Sequence, residues 1–215
     1  MIAIPQNIVV VDVETSGLDP RIHGILEIGA VKMATGDEFT CEVRLEDDMV
    51  YDQGVYRVNG IAEERARSSE RMSVEAALFE LFGWLSPCPD GGKGWLMAGS
   101  NPRFDDGFLR AAYGDDTAAK YPFLRHLLDL QTVAFTYFVA TGTPMPKSLS
   151  ADAIYRAVGL PEEPKPHQAL RGARYEAHGF HTIFNRLAAM NRLTMDGTGQ
   201  PFTHEAAIVI PEGGS

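Results

Sequence analysis

Cysteine is scarce in this chain, with only Cys41 and Cys88 among 215 residues. The two lie far apart in the sequence and form no C-x-x-C pair, so the sequence offers neither a disulfide framework nor a cysteine zinc site. This usage is typical of a protein in a reducing compartment, and we therefore expect a cytoplasmic location.

Long apolar runs are also lacking. No segment approaches the ~18 consecutive apolar residues that a membrane-spanning helix needs, so we expect no membrane partner. Residues 1–7 contain neither a basic segment nor a long apolar stretch, and we therefore expect no signal peptide.

An excess of positive charge is absent as well, because the net charge is −10. An acidic surface argues against nonspecific binding of nucleic acid through a basic patch. It does not exclude a nucleic-acid substrate. Metal ions held by carboxylates reverse the local field, so that phosphate can approach an acidic protein at that one place.

The rest of the composition is ordinary for a soluble globular protein, with 45% hydrophobic and 22% charged residues. A chain of this length suits one domain with a large core. Because the helical period fades near residue 193, we expect a domain over residues 1–192 and a C-terminal tail over residues 193–215. The tail includes one candidate strand over residues 206–210.

The first candidate functional site lies in the segment 8–18. It begins as an apolar, β-branched run typical of a strand buried on both faces, and Asp12 and Glu14 stand at its far end. Residues two apart on a strand share one face, so both carboxylates point into one small volume. Either they are two solvated acids at a strand end, or they are ligands of a hard divalent ion, Mg²⁺ or Mn²⁺. The Thr-Ser-Gly loop that follows lies where α/β sheets place ligands.

Periodicity predicts an α/β fold around this strand. Apolar and alternating runs predict three antiparallel strands, at residues 8–14, 25–33 and 38–45, and a fourth at 95–99 parallel to the first. Helical spacing of apolar residues predicts helices near residues 74–85, 105–112, 130–140, 151–158 and 168–187. Ser73 and Ser150 are the candidate N-caps.

Three further polar residues stand at element boundaries. Asp105 lies at a strand-to-helix junction, where it either faces the end of the first strand or favours the helix dipole. Asn101 can bond loop backbone or a ligand phosphate. His167 precedes the final helix and is either a solvated or capping residue or a general base, since imidazole titrates near neutral pH.

The joint pattern is more specific than its parts. D-x-E-T at residues 12–15, N-x-x-F-D at 101–105 and H-x-A-L at 167–170 resemble the three motifs of the DEDDh 3′–5′ exonucleases. That family includes RNase T, oligoribonuclease and the proofreading exonuclease of bacterial replicative polymerases. Val-Asn-Gly-Ile at 58–61 also occurs in family order. The resemblance covers about residues 7–187 and implies an α/β fold of the RNase H-like type, a mixed β-sheet flanked by helices.

The resemblance also implies an activity, the two-metal hydrolysis of the terminal phosphodiester at the 3′ end of single-stranded DNA or RNA, with two Mg²⁺ or Mn²⁺ ions. On the matching positions, Asp12 would bridge both ions, Glu14 would ligate one and Asp105 would hold the second. His167 would take a proton from the attacking water. The implied substrate-binding residues are Thr15, Ser16, Gly17, Leu18, Asn101 and Phe104. A homodimer and a complex with a polymerase-type partner are both left open.

One position departs from the family pattern. The third motif ends with an Asp five residues after the His, and here that position is Gly172. The nearest later acid, Glu176, lies on the same helical face and is longer by one methylene, so it is a candidate substitute ligand. The alternative is a solvated acid near Arg174. Three functions therefore stay open. They are a metal-dependent exonuclease weakened by one lost ligand, a non-catalytic module that binds nucleic-acid ends or proteins, and an unrelated phosphoesterase that acts on small nucleotides.

Overall fold

Five strands form one mixed sheet in the structure, a computed structural model that describes residues 4–89, 91, 94–114 and 121–193. Their order across the sheet is β3-β2-β1-β4-β5. β1 pairs antiparallel with β2, and β2 pairs antiparallel with β3, whereas β4 is parallel to β1 and to β5. The strands are β1 (Ile8–Thr15), β2 (Ile25–Lys32), β3 (Glu38–Glu42), β4 (Trp95–Gly99) and β5 (Phe123–Asp129).

Helices cover both faces of this sheet. α3 and α4 pack on one face, and α5, α6 and α7 pack on the other. The short helices α1 and α2 lie in the long connection between β3 and α3. The helices are α1 (Tyr56–Asn59), α2 (Glu63–Ala66), α3 (Val74–Leu85), α4 (Pro102–Tyr113), α5 (Leu130–Thr141), α6 (Ala151–Ala157) and α7 (Ala169–Leu193).

The central strand β1 is buried on both faces, as its apolar sequence predicts. Val9, Val11 and Val13 pack into the core beneath α3 and α4. Ile8 and Val10 pack into the core beneath α5 and α7. Burial of each such side chain stabilises the fold by roughly 1.5–3 kcal/mol. By the same alternation, Asp12 and Glu14 continue the face of Ile8 and Val10, toward α7.

A glycine on β2 sets the position of α7. Gly29 pairs with Asp12 across the sheet. A Cβ placed on Gly29 would overlap the backbone of Ala169 and Leu170, so the first turn of α7 packs directly on the sheet at this point. The helix therefore crosses the sheet beside Asp12.

Most of the predicted elements are confirmed. The three opening antiparallel strands and the parallel fourth strand are present, although β3 ends at Glu42. The chain then bridges to the segment around Met72, whose carbonyl accepts from Arg44 N–H at 2.7 Å. Ser73 caps α3 by accepting from the N–H of Ala76 at 3.3 Å. Ser150 stands at the N-cap of α6, but its side chain makes no cap hydrogen bond.

One strand was not predicted from the sequence, and one predicted segment cannot be compared with the structure. Strand β5 was not predicted, because its Phe-Leu-Arg-His-Leu-Leu-Asp sequence lacks a two-residue alternation and exposes Arg125 and His126 at the edge of the sheet. The predicted tail over residues 193–215, with its candidate strand over 206–210, lies outside the described residues beyond Leu193.

Both Cys41 and Cys88 are free thiols. Burial raises the pKa of the Cys41 thiol to about 12, so it stays protonated at neutral pH. Among the helices of the described ranges, none is long and apolar enough to cross a bilayer.

Candidate active site

Four acids from three elements meet at the carboxyl end of β1. Asp12 and Glu14 come from β1, Asp105 from the first turn of α4 and Glu176 from the second turn of α7. Glu14, Asp105 and Glu176 are 8%, 5% and 8% exposed, whereas Asp12 is half-buried. Buried carboxylates are rare unless something compensates them, so this acidic cluster needs a physical account.

Asp105 is held by the backbone of β1. Its Oδ1 accepts a hydrogen bond from the N–H of Val13 at 2.9 Å. The parallel pairing between β1 and β4 stops at Val10 and Ala98, so β4 does not pair with Val13. Asp105 therefore satisfies a donor that the sheet leaves open, and the junction after β4 brings its carboxylate to β1.

Glu176 is anchored by one oxygen and unsatisfied at the other. Its Oε1 accepts from the N–H of Ser100 at 3.0 Å. Its Oε2 is buried without a hydrogen-bond partner. The expectation of a solvated acid near Arg174 is wrong, because Glu176 is buried and Arg174 bonds Glu38 instead, with Nε 2.7 Å from Oε1.

Gly172 lies directly against Asp12. A Cβ placed on Gly172 would lie 2.9 Å from Asp12 Cγ and would overlap its carboxylate. The side-chain position at 172 therefore points at the acidic cluster, and the Asp12 carboxylate occupies the space that a longer side chain would need.

Burial and mutual repulsion both act on these acids. Burial is the main cause that raises the pKa of Glu14 to about 7, with the charges of Glu27 and Glu163 adding to it. Burial likewise raises the pKa of Asp105 to about 8, against the Val13 hydrogen bond. The pKa values of Asp12 and Glu176 lie well above the ordinary range for the same reason, with the neighbouring acids contributing.

The donor set fits a hard divalent cation. Four carboxylates repel one another in a buried place, and Glu176 Oε2 is a buried acceptor without a donor. Carboxylate oxygens are the ligands that Mg²⁺ and Mn²⁺ prefer. Among the described residues, however, no three acid, histidine or cysteine side chains are already placed as ligands of one ion. The cluster thus has the charge and chemistry of a metal site, and side-chain rotation would be needed to complete it.

His167 lies beside an acid that the sequence analysis did not single out. Its Nδ1 is 3.4 Å from Oε2 of Glu163, in the loop that precedes α7. Glu163 has a side chain 10% exposed and also lies 3.5 Å from Nε of Arg171. The backbone N–H of His167 donates to Val58 O at 2.9 Å, which ties this loop to the Val-Asn-Gly-Ile segment.

The sequence contained a weak signal for Glu163. It stands four residues before His167, in an acidic, proline-rich loop without a periodic pattern. Its charge raises the pKa of Asp12 and of Glu14, so it also faces the acidic cluster. Only the folded loop shows this, because nothing local fixes the direction of its side chain.

The loop after β1 is built from its own polar groups. Thr15 Oγ1 donates to Gly17 O at 2.6 Å. Ser16 is fully buried, and its hydroxyl donates to Val50 O at 2.6 Å and accepts from Gly24 N–H at 3.0 Å. The Ser16 side chain therefore holds the loop and is not offered to a ligand.

Two further residues at this loop, Leu18 and Asn59, differ in exposure. Leu18 is 80% exposed, in the loop that follows β1. Asn59 is buried, and its amide donates to Thr15 O at 3.4 Å while its carbonyl oxygen accepts from Ile61 N–H at 3.0 Å. The Val-Asn-Gly-Ile segment thus supports the loop from beneath.

Asn101 and Phe104 begin α4. Asn101 has a left-handed backbone (φ 61°), and its exposed side chain makes no cap hydrogen bond. Its N–H donates to Asp129 Oδ1 at 3.1 Å. The ring of Phe104 is half-buried, with its centroid 4.9 Å from that of Phe108. The structure therefore leaves the Asn101 amide and one side of the Phe104 ring accessible near the cluster.

The raised pKa of Glu14 predicts how the metal-free protein responds to pH. Below pH ~4.5, both the folded and the unfolded states carry the proton; as the pH rises toward 7, the unfolded chain ionises first, so the stability falls. Between pH 5.5 and 8 the loss is on the order of 2 kcal/mol, or about 4–8 °C in Tm. Thermal melts in EDTA at pH 5.5 and 8 measure it, and Glu14→Gln should flatten the dependence. An unchanged pH dependence in Glu14→Gln would contradict this assignment.

Comparison with known proteins gives a family match over most of the chain. A family model described as exonuclease, RNase T, matches residues 9–178. The PolC-type DNA polymerase III of Thermotoga petrophila is 29% identical over 179 residues, which are 80% of this chain and 11% of that protein. The DNA polymerase III subunit epsilon of Rickettsia felis is 44% identical over 61 residues, which are 26% of each chain. This chain thus spans a small part of the PolC-type relative's length.

Solved structures share the fold. Escherichia coli Exonuclease I in complex with a dT13 oligonucleotide matches with a TM-score of 0.66 at 18% identity, over 86% of this chain and 43% of that one. The nuclease domain of 3′hExo, a DEDDh family member bound to rAMP, matches with a TM-score of 0.64 at 16% identity, over 83% of this chain and 92% of that one. These matches confirm the predicted RNase H-like mixed sheet flanked by helices.

Proposed function

This chain belongs to the exonuclease family, and we propose that it hydrolyses the terminal phosphodiester bond at the 3′ end of single-stranded DNA or RNA. The observation that carries the proposal is the acidic cluster, in which buried carboxylates from β1, α4 and α7 meet at one end of the sheet. The binding of a dT13 oligonucleotide by Exonuclease I and of rAMP by 3′hExo supports a nucleic-acid 3′ end as the substrate.

Asp12, Glu14 and Asp105 would hold two divalent ions, Mg²⁺ or Mn²⁺, with Glu176 as a further ligand through its unsatisfied Oε2. Such ions, when bound, neutralise the phosphate and lower the pKa of the attacking water. The chain's acids have raised pKa values and would ionise as they ligate, so metal binding and proton release are linked.

The remaining steps fall to side chains around the cluster. His167 takes the proton of the attacking water as general base, while Glu163 orients its ring from Nδ1. The water oxygen bonds to phosphorus as the bond to the 3′ oxygen of the preceding nucleotide breaks, which releases a 5′-mononucleotide. The exposed Leu18 side chain and the Phe104 ring would pack against the terminal base.

A second function is favoured by one specific observation, the absence of a side chain at Gly172. If the site cannot retain its ions, the same surface would bind a nucleic-acid end or a protein without cleaving anything. A polymerase-type partner is the proposal that the epsilon relative suggests, and a homodimer is the alternative.

A gel assay separates the two functions. A single-stranded DNA or RNA oligonucleotide labelled at the 5′ end, incubated with Mg²⁺ or Mn²⁺, should give a ladder of shortened products, and none in EDTA. The control for direction is a strand with a phosphorothioate at its 3′-terminal linkage, which should be shortened more slowly. Retention of an intact strand in a mobility-shift gel, with no shortening in either metal, would support the binding module and overturn the enzyme.

Gly172 provides a gain-of-function prediction. Gly172→Asp should raise the Mn²⁺ affinity by roughly tenfold or more, since the affinity of hard ions grows with the number of carboxylates, and should raise the rate most at low metal concentration. The Asp12 carboxylate must rotate away from residue 172, which a side-chain end can do. Calorimetric Mn²⁺ titration gives the affinity, and assays at limiting metal give the rate.

The matched control is Gly172→Ala, which adds the Cβ and the better helix propensity without the carboxylate. Glu176→Gln then reports on the present ligand set. A strong loss of Mn²⁺ affinity in the parent that disappears in the Gly172→Asp background would make Glu176 the substitute ligand. If Gly172→Asp binds Mn²⁺ no better than Gly172→Ala, the proposed role of this helix position is wrong.

A further inference from the structure

A polar cleft opens at the edge of the sheet, next to the acidic cluster. It has a volume of about 370 Å³ and lies between the start of α4 and the edge strand β5. Arg103 contributes from α4, and Arg125 and His126 contribute from β5. All three side chains are exposed. We call this the basic cleft.

Among the described residues, the two arginines of the basic cleft have no acidic partner. Neither Arg103 nor Arg125 makes an ion pair or side-chain hydrogen bond among the described residues, whereas Arg21, Arg65, Arg110 and Arg174 each pair with a nearby acid. In a chain with a net charge of −10, two arginines left without acids in one cleft form a local positive field. The cleft therefore favours an anion.

Asp129, the one acid among the described residues that line the basic cleft, is already saturated with hydrogen bonds. Oδ1 of Asp129 accepts from the N–H groups of Asn101 and Gln131, at 3.1 and 3.2 Å. Oδ2 accepts from the N–H and the hydroxyl of Thr132, at 3.2 and 2.9 Å. These bonds fix Asp129 as the N-cap of α5, so it is not free to pair with the arginines.

Two adjacent peptide groups join the basic cleft to the acidic cluster. The N–H of Ser100 donates to Glu176 in the cluster, and the N–H of the next residue, Asn101, donates to Asp129 in the cleft. Consecutive Cα atoms lie 3.8 Å apart, so the two sites share one turn of backbone. α4 contributes Arg103 to the cleft and Asp105 to the cluster from its first turn.

We propose that the basic cleft binds a backbone phosphate of the same nucleic-acid strand whose terminal phosphodiester lies at the acidic cluster. Guanidinium groups match phosphate oxygens in a bidentate manner, and such contacts position a strand without reading its sequence. This inference rests on the proposed exonuclease function. It assigns Arg103 and Arg125 the role of binding the strand at a phosphate on the 5′ side of the scissile bond.

Kinetics on two substrates tests the proposal. For a twelve-residue thymidine oligonucleotide, Arg125→Ala should raise KM about five- to tenfold with kcat little changed, the range of one hydrogen bond at a solvent-exposed site. For the p-nitrophenyl ester of thymidine 5′-monophosphate, which is too short to reach the cleft, neither value should change. Lys147→Ala is the matched control, because it removes one exposed positive charge from the connection between α5 and α6. Arg125→Lys should recover part of the loss.

Binding separates failure of the cleft from failure of the enzyme. In the Asp12→Asn background, Arg125→Ala and Arg103→Ala should each weaken binding of the oligonucleotide and lower the slope of log Kd against log salt concentration by about 0.7. If the parent hydrolyses the oligonucleotide and Arg125→Ala matches Lys147→Ala in KM and Kd, the basic cleft is not a strand site and the exonuclease function stands. If the parent hydrolyses neither substrate, the enzyme is overturned, and a Kd weakened by Arg125→Ala still supports the phosphate contact. Equal Kd values in all variants would overturn the phosphate contact, and an acidic protein would then be the anion to test in the basic cleft.

Discussion

Asp12→Asn should lower the hydrolysis of single-stranded DNA by at least about 10³-fold while leaving the protein folded. Asp12 belongs to the acidic cluster, where burial and the charges of Glu176, Asp105 and Glu14 raise its pKa. A metal-bound phosphate gains several kcal/mol of transition-state stabilisation, and each 1.36 kcal/mol is a factor of ten in rate. The amide keeps the shape of the side chain but removes the charge that holds a cation.

The same substitution should make the metal-free protein more stable. The raised pKa of Asp12 means that its charged form is unfavourable in the folded state at neutral pH. Thermal melts in EDTA at pH 8 should therefore give a higher Tm for Asp12→Asn than for the parent, and added Mn²⁺ should raise the Tm of the parent alone. Asp37→Asn, in the exposed turn between β2 and β3, is the matched control for charge. Undiminished hydrolysis by Asp12→Asn would end the proposed function.

The sequence predicted those parts of the site that depend on local geometry. A two-residue alternation is sufficient to place Asp12 and Glu14 on one face of β1. For Asp105 the junction after β4 left two roles open, and the bond to Val13 that brings it to β1 follows from where the strand pairing stops. Helical spacing likewise relates Gly172 and Glu176 on α7.

Contacts between distant segments could not be predicted in this way. Glu176 is buried because Ser100 satisfies one of its oxygens across 76 residues, and no local pattern shows that bond. The position of α7 depends on Gly29, whose missing side chain lets the helix backbone touch the sheet. The family resemblance implied that Ser16 binds substrate, yet its hydroxyl is used by Val50 and Gly24.

The unpredicted strand β5 matters for more than topology. It was missed because an edge strand is partly exposed and carries charged residues where a central strand carries apolar ones. Those same charges, on Arg125 and His126, form one wall of the basic cleft. Arg125 and His126, which interrupt the apolar pattern of β5, are thus the residues of this strand with a candidate role in binding.

His167→Ala should lower turnover by roughly 10²–10⁴, the usual contribution of a positioned general base. Only Nδ1 of the imidazole faces Glu163, and among the described residues Nε2 has no partner. Nε2 is therefore the nitrogen available to accept a proton from water. Metal affinity should barely change, because the carboxylates of the acidic cluster remain. Steady-state kinetics with a parallel Mn²⁺ titration measures both quantities, and His178→Ala, on the exposed side of α7, is the matched control.

Glu163 should act through His167 and not by itself. Glu163→Gln keeps a group that can accept from Nδ1–H but removes the charge beside the ring, so we expect a smaller loss of turnover than in His167→Ala. In the His167→Ala background, Glu163→Gln should have little further effect, because the two residues form one unit. Full additivity of the two losses would show that Glu163 serves the acidic cluster instead. A loss of Mn²⁺ affinity in His167→Ala as large as that in Asp12→Asn would make His167 a ligand and not a base.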